Sequence, residues 1–199
     1  LPFDKRLSFP MMETVTNAIK GTVLFNEEDL DNRVEDNLYG ATLSLWNQFV
    51  DYQGGVPFIR AFNPVISKHG WQSTHTIVEI IVTDMPFLVD SVRMALNKVG
   101  ITAHLLLHCP IGLKRDDQHK LVSFESVNSK NKDIIKQTVF LIEVDRQTSK
   151  LALEQLTDEL MSVVNDVTIA VQDWQPMRAR LRDIIEEFNA KFIAKVEEL

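Results

Sequence analysis

The chain has 199 residues, 45% hydrophobic and 25% charged, which is ample for a core in one large domain or two small ones. Its net charge of -7 argues against a non-specific nucleic-acid binder, whose affinity comes from Lys and Arg neutralising phosphates. Cys109 is the only cysteine, which excludes an internally cross-linked secreted scaffold. No apolar run approaches the ~20 residues needed to span a bilayer, and no signal peptide is visible. A cytoplasmic protein with no nucleic-acid or membrane partner is expected.

Residues 1–55 read as an N-terminal helical segment. A short helix is expected around Met12, Val15, Ile19 and Val23. A longer one starts at Asn26, whose acidic followers Glu27, Glu28 and Asp29 suit the positive end of a helix. Leu30, Val34, Leu38, Leu45 and Phe49 fall near one face of it, until Gly54-Gly55-Val56-Pro57 breaks the pattern.

Residues 56–174 alternate strand and helix signals. A short strand at 58–62 is followed by a polar turn at 67–70. A strand at 76–82, a helix at 87–98 and a strand at 102–113 come next. A hairpin turn at 116–118 leads to a strand at 120–124, a polar loop at 128–133 and a strand at 138–144. A helix at 149–164 and a strand at 167–171 complete the set. Without the hairpin the order is βαββαβ, the ferredoxin-like split arrangement.

Residues 175–199 form a C-terminal segment in which Met177, Leu181, Ile184, Ile185, Phe188, Phe192 and Val196 make one helical stripe. Such a helix must pack on something. The chain begins at Leu1 without methionine and finishes inside this pattern without a stop signal, so a piece of a longer polypeptide is expected. A trimmed tag is the other explanation of the first feature.

A sheet covered on one side alternates apolar and polar residues. Here Val78, Ile80 and Val82 oppose Ile77 and Ile81, and Val139 and Leu141 oppose Phe140, Ile142 and Val144. Both faces are apolar and both need cover. The helices of the split motif supply one cover, and the N-terminal helices or a second copy must supply the other.

The chemistry is sparse. Asp84 and Pro86 lie just before a helix, where an aspartate can cap free N–H groups and proline suits the first turn. The functional reading of the same corner is a small polar ligand held by Asp84, backbone amides, Asp90 and Ser91. His104 and His108, four apart on a strand, would share a face, with His75 as a third metal ligand, but no carboxylate or thiolate reinforces a zinc set. No base is placed for Cys109, which reads as a buried hydrophobe. Trp46, Trp71 and Trp174 are too scattered for a base-stacking platform. No G-x-G-x-x-G is present, so no nicotinamide cofactor is expected in this segment.

The run His69-Gly70-Trp71-Gln72-Ser73-Thr74-His75-Thr76, the run Asp84-Met85-Pro86-Phe87-Leu88-Val89-Asp90-Ser91-Val92, and Arg115-Asp116 resemble the N-terminal region of the large bacterial NAD-specific glutamate dehydrogenases. The resemblance covers most of residues 25–175. With Asp-x-Pro opening the first helix, the order also resembles the ACT fold, whose domains commonly pair and bind amino acids at the pair interface. The fold class expected is therefore α+β: a ferredoxin-like/ACT-like βαββαβ antiparallel sheet with an extra hairpin strand, flanked by N-terminal helices and a C-terminal amphipathic helix.

The resemblance implies a non-catalytic regulatory or assembly segment. The parent enzyme would oxidise L-glutamate to 2-oxoglutarate and ammonium with NAD as acceptor. Its implied partners are the rest of the same polypeptide, a second copy in a homo-oligomer, and an amino-acid effector. Candidate ligand-binding residues are Asp84, Met85, Phe87, Asp90 and Ser91. Many amino-acid-binding ACT domains carry glycine where Phe87 stands, which favours a packing role for Phe87 inside the protein or between subunits. The alternative function is a purely structural oligomerisation module without a ligand. A free-standing small enzyme has no converging acid–base or nucleophile group to support it.

Overall fold

The computed structural model describes residues 35–52, 54–118, 121–125, 127, 131 and 133–197. The helix expected around residues 12–23 and the helix start at 26–29 lie outside them. In chain order the elements are α1 (Glu35–Asp51), β1 (Phe58–Phe62), α2 (Ile66–His69), β2 (Thr76–Thr83) and α3 (Leu88–Lys98). They continue with β3 (Ala103–Arg115), β4 (Leu121–Glu125), β5 (Ile135–Val144) and α4 (Lys150–Glu197).

The strands form one antiparallel sheet in the order β1-β2-β5-β3-β4. This is the α+β, ferredoxin-type and ACT-like architecture that the residue pattern predicts, with β4 as the hairpin addition. One strand is corrected. Residues 167–171 are helical, part of a single 48-residue α4, and the final helix expected at 177–199 is the distal part of α4 as far as Glu197. Their β-branched composition suggests a strand, but Leu156, Leu160, Val164 and Val167 recur at helical spacing and bury together. Tertiary packing overrides local propensity there. The sheet position beside β2 is filled instead by β1, from the N-terminal side.

The two apolar faces have separate covers. On one face Val78, Ile80 and Val82 of β2 and Phe140, Ile142 and Val144 of β5 pack with Leu88, Val92 and Leu96 of α3 and Leu156 and Leu160 of α4. Burying each such side chain contributes about 1.5–3 kcal/mol. On the other face Ile81, Val139, Cys109 and Leu113 meet Trp46 and Phe49 of α1, and Ile77 and Leu141 meet Ala41 and Trp71. The N-terminal helix is thus a cover for the second face, one of the two options that the apolar pattern leaves.

Polar contacts fix α1 in place. Glu79, fully buried in β2, accepts hydrogen bonds from Ser44 Oγ at 2.9 Å and Arg60 Nε at 2.7 Å. Arg115 donates to the last carbonyls of α1, to Phe49 O at 3.0 Å and Val50 O at 3.3 Å, which suits the negative end of a helix. Gly40 lets α1 approach Trp71 closely: a Cβ at residue 40 would stand 2.4 Å from Trp71 Cβ. Trp71 and Arg115, which belong to the runs that carry the resemblance, are therefore docking points for α1. Among the described residues no helix is long and apolar enough to cross a membrane.

Candidate functional site

The corner after β2 is built by main-chain hydrogen bonds. Asp84 N donates to Lys136 O at 3.0 Å, which continues the β2–β5 ladder by one residue. Asp84 is consequently not the helix cap. That place belongs to Phe87, in the left-handed region at φ 72° and without a side-chain capping bond. Ser91 N donates to Phe87 O at 3.0 Å and closes the first turn of α3. Phe87 is 66% exposed, so it is no anchor inside the protein; Leu88, 2% exposed, fills that place.

Asp84 and Met85 are half-buried, Asp90 is exposed on the first turn of α3, and Ser91 is half-buried beside it. Asp84 and Met85 line a cleft of about 530 Å³, and Phe87, Asp90 and Ser91 are not among its lining residues. The cleft has three walls: residues 55–57 before β1, residues 82–85 at the end of β2, and Asn165, Thr168, Val171 and Gln172 of α4. Its size falls within the range of small-molecule clefts.

Each wall follows from local sequence. Gly54 and Gly55 hold φ 84° and φ 88°, a left-handed path that only glycine takes without strain, and they turn the chain sharply into Val56-Pro57 and β1. On α4 the polar residues 165, 168 and 172 follow at i, i+3 and i+7 and so share a face, next to the apolar face that packs on the sheet. Thr168 Oγ1 donates to Val164 O at 2.8 Å and lies 3.7 Å from Met85 Sδ, which brings the helix and the corner together. The α4 wall is absent from the sequence-derived site because residues 167–171 read as a strand. The signal that could have found it is this polar spacing.

The Asp84 carboxylate bears on His108 of β3. His108 packs on Phe140, ring centroids 4.7 Å apart, and burial pushes its imidazole pKa down while the Asp84 carboxylate opposes that. His104 sits elsewhere. A register shift between Ala103 and Leu105 breaks the alternation of β3, so the two histidines do not share a face. His104 Nε2 lies 2.8 Å from Asp145 Oδ1, and its ring lies 4.4 Å from that of His75, which in turn approaches Glu143 at 3.7 Å. The backbone N–H of Thr102, and then His104, hold the Asp145 carboxyl below its usual range. Among the described residues no group of three or more His, Cys, Asp or Glu is arranged to hold a metal ion.

Cys109 is buried against the α1 face of the sheet. Trp46 and Trp71 are buried on that same face, and Trp174 is exposed on distal α4. The Gly54-Gly55 turn leads into a strand rather than a helix, so it does not build the phosphate-binding corner that a dinucleotide requires.

Residues 24–160 match the family model described as glutamate dehydrogenase, ACT1 domain. The chain is 41% identical over 170 residues to the NAD-specific glutamate dehydrogenase of Halomonas elongata, which covers 85% of this chain and 10% of that protein. It is 35% identical over 177 residues to the NAD-specific glutamate dehydrogenase of Pseudomonas aeruginosa, covering 88% of this chain and 11% of that protein. The chain thus spans about a tenth of the length of these curated relatives.

Proposed function

Because the chain belongs to the glutamate dehydrogenase ACT1 domain family, we propose that it is a non-catalytic regulatory and assembly segment of a cytoplasmic NAD-dependent glutamate dehydrogenase. In that reading the parent polypeptide oxidises L-glutamate to 2-oxoglutarate and ammonium with NAD as hydride acceptor. The catalytic groups and the NAD site lie outside this segment, and an amino acid is the effector.

The observation that carries the regulatory reading is the double use of α4. Its proximal half packs on the sheet and walls the cleft at Asp84. Its distal half carries Trp174, Met177, Leu181, Ile184 and Phe188, all between 46% and 71% exposed, at alternating spacings of three and four. That spacing suits a seam that docks on another helix or subunit. At 1.5 Å per residue, the 48 residues of α4 span roughly 70 Å. A ligand that favours one packing of the proximal half biases how the distal half docks, which is the differential affinity that allostery requires.

The second reading, a purely structural oligomerisation module without a ligand, draws on the same exposed stripe and on the exposed Phe87 ring. Both readings place assembly on α4. In the complete dehydrogenase, Leu181→Glu with Ile184→Glu is expected to change the sedimentation-determined assembly state or the kinetic response to amino acids. Unchanged assembly together with unchanged kinetics would refute the role of α4. The 199-residue chain supplied with glutamate and NAD is expected to form no NADH, and turnover would overturn its catalytic silence.

A further inference from the structure

The exposed stripe of distal α4 carries charge along one flank. Trp174, Met177, Leu181, Ile184 and Phe188 alternate three and four apart, so they occupy the two core positions of a heptad seam. Asp173, Arg180 and Glu187 follow one side of that seam at heptad intervals. Arg180 and Glu187 are both exposed, and Arg180 Nη1 lies 3.6 Å from Glu187 Oε1 within the same helix. Pro176, Arg182, Asp183 and Glu186 fall on the outer face, clear of the seam. Trp174 and Leu181 lie seven and fourteen positions after Val167, which is buried in the core between proximal α4 and the sheet. A straight helix drifts only about 20° per heptad, so the seam continues the face that proximal α4 lays on the sheet.

We propose that distal α4 pairs with the same segment of a second copy of this chain, antiparallel and about a two-fold axis. Continuity of the seam with the sheet-packing face sets the direction. In a parallel pair the second copy's proximal helix would run through the space that this sheet occupies. An antiparallel pair puts the two sheets at opposite ends. Charge sets the register. With Leu181 against Ile184 of the second copy and Met177 against its Phe188, Arg180 meets Glu187 of the second copy, and the two-fold axis makes that contact twice. Sliding by one heptad either way sets Arg180 on Arg180 or Glu187 on Glu187, and like charges so placed are disfavoured. The seam is short, so the 199-residue chain is expected to pair only above roughly 0.1 mM and to be monomeric when dilute. Tethering within a larger assembly raises the effective concentration. The proposal rests on the assembly reading above and names its partner.

The test is sedimentation equilibrium of the 199-residue chain at low salt, from roughly 0.01 to 1 mM, where a monomer–dimer equilibrium is expected. Arg180→Glu and Glu187→Arg, both at exposed positions, each put one sign of charge at both contacts. Each alone is expected to weaken self-pairing about tenfold or more. Mixed one to one, the two variants oppose each other at both contacts and are expected to recover the pairing of the unaltered chain. Neither variant restores the ion pair within one helix, so recovery reads the contact between copies. Leu181→Glu, alone or mixed, is expected to abolish pairing. A chain still monomeric at roughly 1 mM, or dimers that survive Leu181→Glu, overturn the proposal. Dimers indifferent to both charge reversals, or a mixture that pairs no better than its components, overturn the antiparallel register. If the complete dehydrogenase nevertheless responds to Leu181→Glu with Ile184→Glu, the assembly reading stands and the stripe belongs to another part of that polypeptide.

Discussion

Phe87 holds a conformation that its side chain opposes. At φ 72° a residue with a Cβ is strained by roughly 1–2 kcal/mol, and with 66% of its surface exposed Phe87 recovers little of that through burial. Glycine relieves the strain but is about 0.5–1 kcal/mol costlier to order. Phe87→Gly is therefore expected to raise the folding stability by about 0.5–1 kcal/mol, read as a higher denaturant midpoint at unchanged slope. A clear loss of stability would mean that the ring packs on something. The place of Asp84 and Met85 at an accessible strand–Pro–helix corner was legible, and both line the candidate cleft. Phe87, Asp90 and Ser91 share that corner but do not line the cleft. Glu79 was not legible at all: a carboxylate inside an apolar strand has no local signal that Ser44 and Arg60 will meet it.

At the scale of elements, α4 is two helices in one in energetic terms. Leu160 is fully buried in the proximal half and Leu181 is 59% exposed in the distal half. Leu160→Ala is expected to cost about 2–5 kcal/mol through lost burial and a cavity, whereas Leu181→Ala is expected to stay within about 0.5 kcal/mol in the 199-residue chain. Chemical denaturation of the two variants checks this, and a comparable loss in both would mean that the distal stripe is already covered. Pro176 lies in the exposed half, where the hydrogen bond it removes is between solvent-facing groups. The strands β1 to β5 were legible because apolar β-branched runs bounded by turns read clearly. The fate of residues 167–171 was not, because a valine-rich run of that length suits a strand or a buried helix until its neighbours at 156, 160 and 164 are placed beside it. The register shift at His104 was likewise hidden, since strict alternation is the default and a bulge needs a partner strand to be seen.

At the scale of the whole molecule, the sheet is sandwiched. α3 and proximal α4 cover one face and α1 covers the other, so β2 and β5 have apolar residues on both sides. That two-sided need was legible from the residues alone. That β1 would fill the edge beside β2 was not, because antiparallel pairing from before or after the motif uses the same strand chemistry. The arrangement leaves α4 as the element that both walls the cleft and continues beyond the sheet, and the account depends on that continuity. Amide hydrogen exchange along α4, with and without a saturating mixture of amino acids, tests it most directly, because protection reports local opening segment by segment. The account predicts slower exchange at residues 165–172 that extends into residues 174–188. Slowing confined to the cleft wall, or no change at either segment, would contradict the claim that α4 carries the state of the cleft out of the domain.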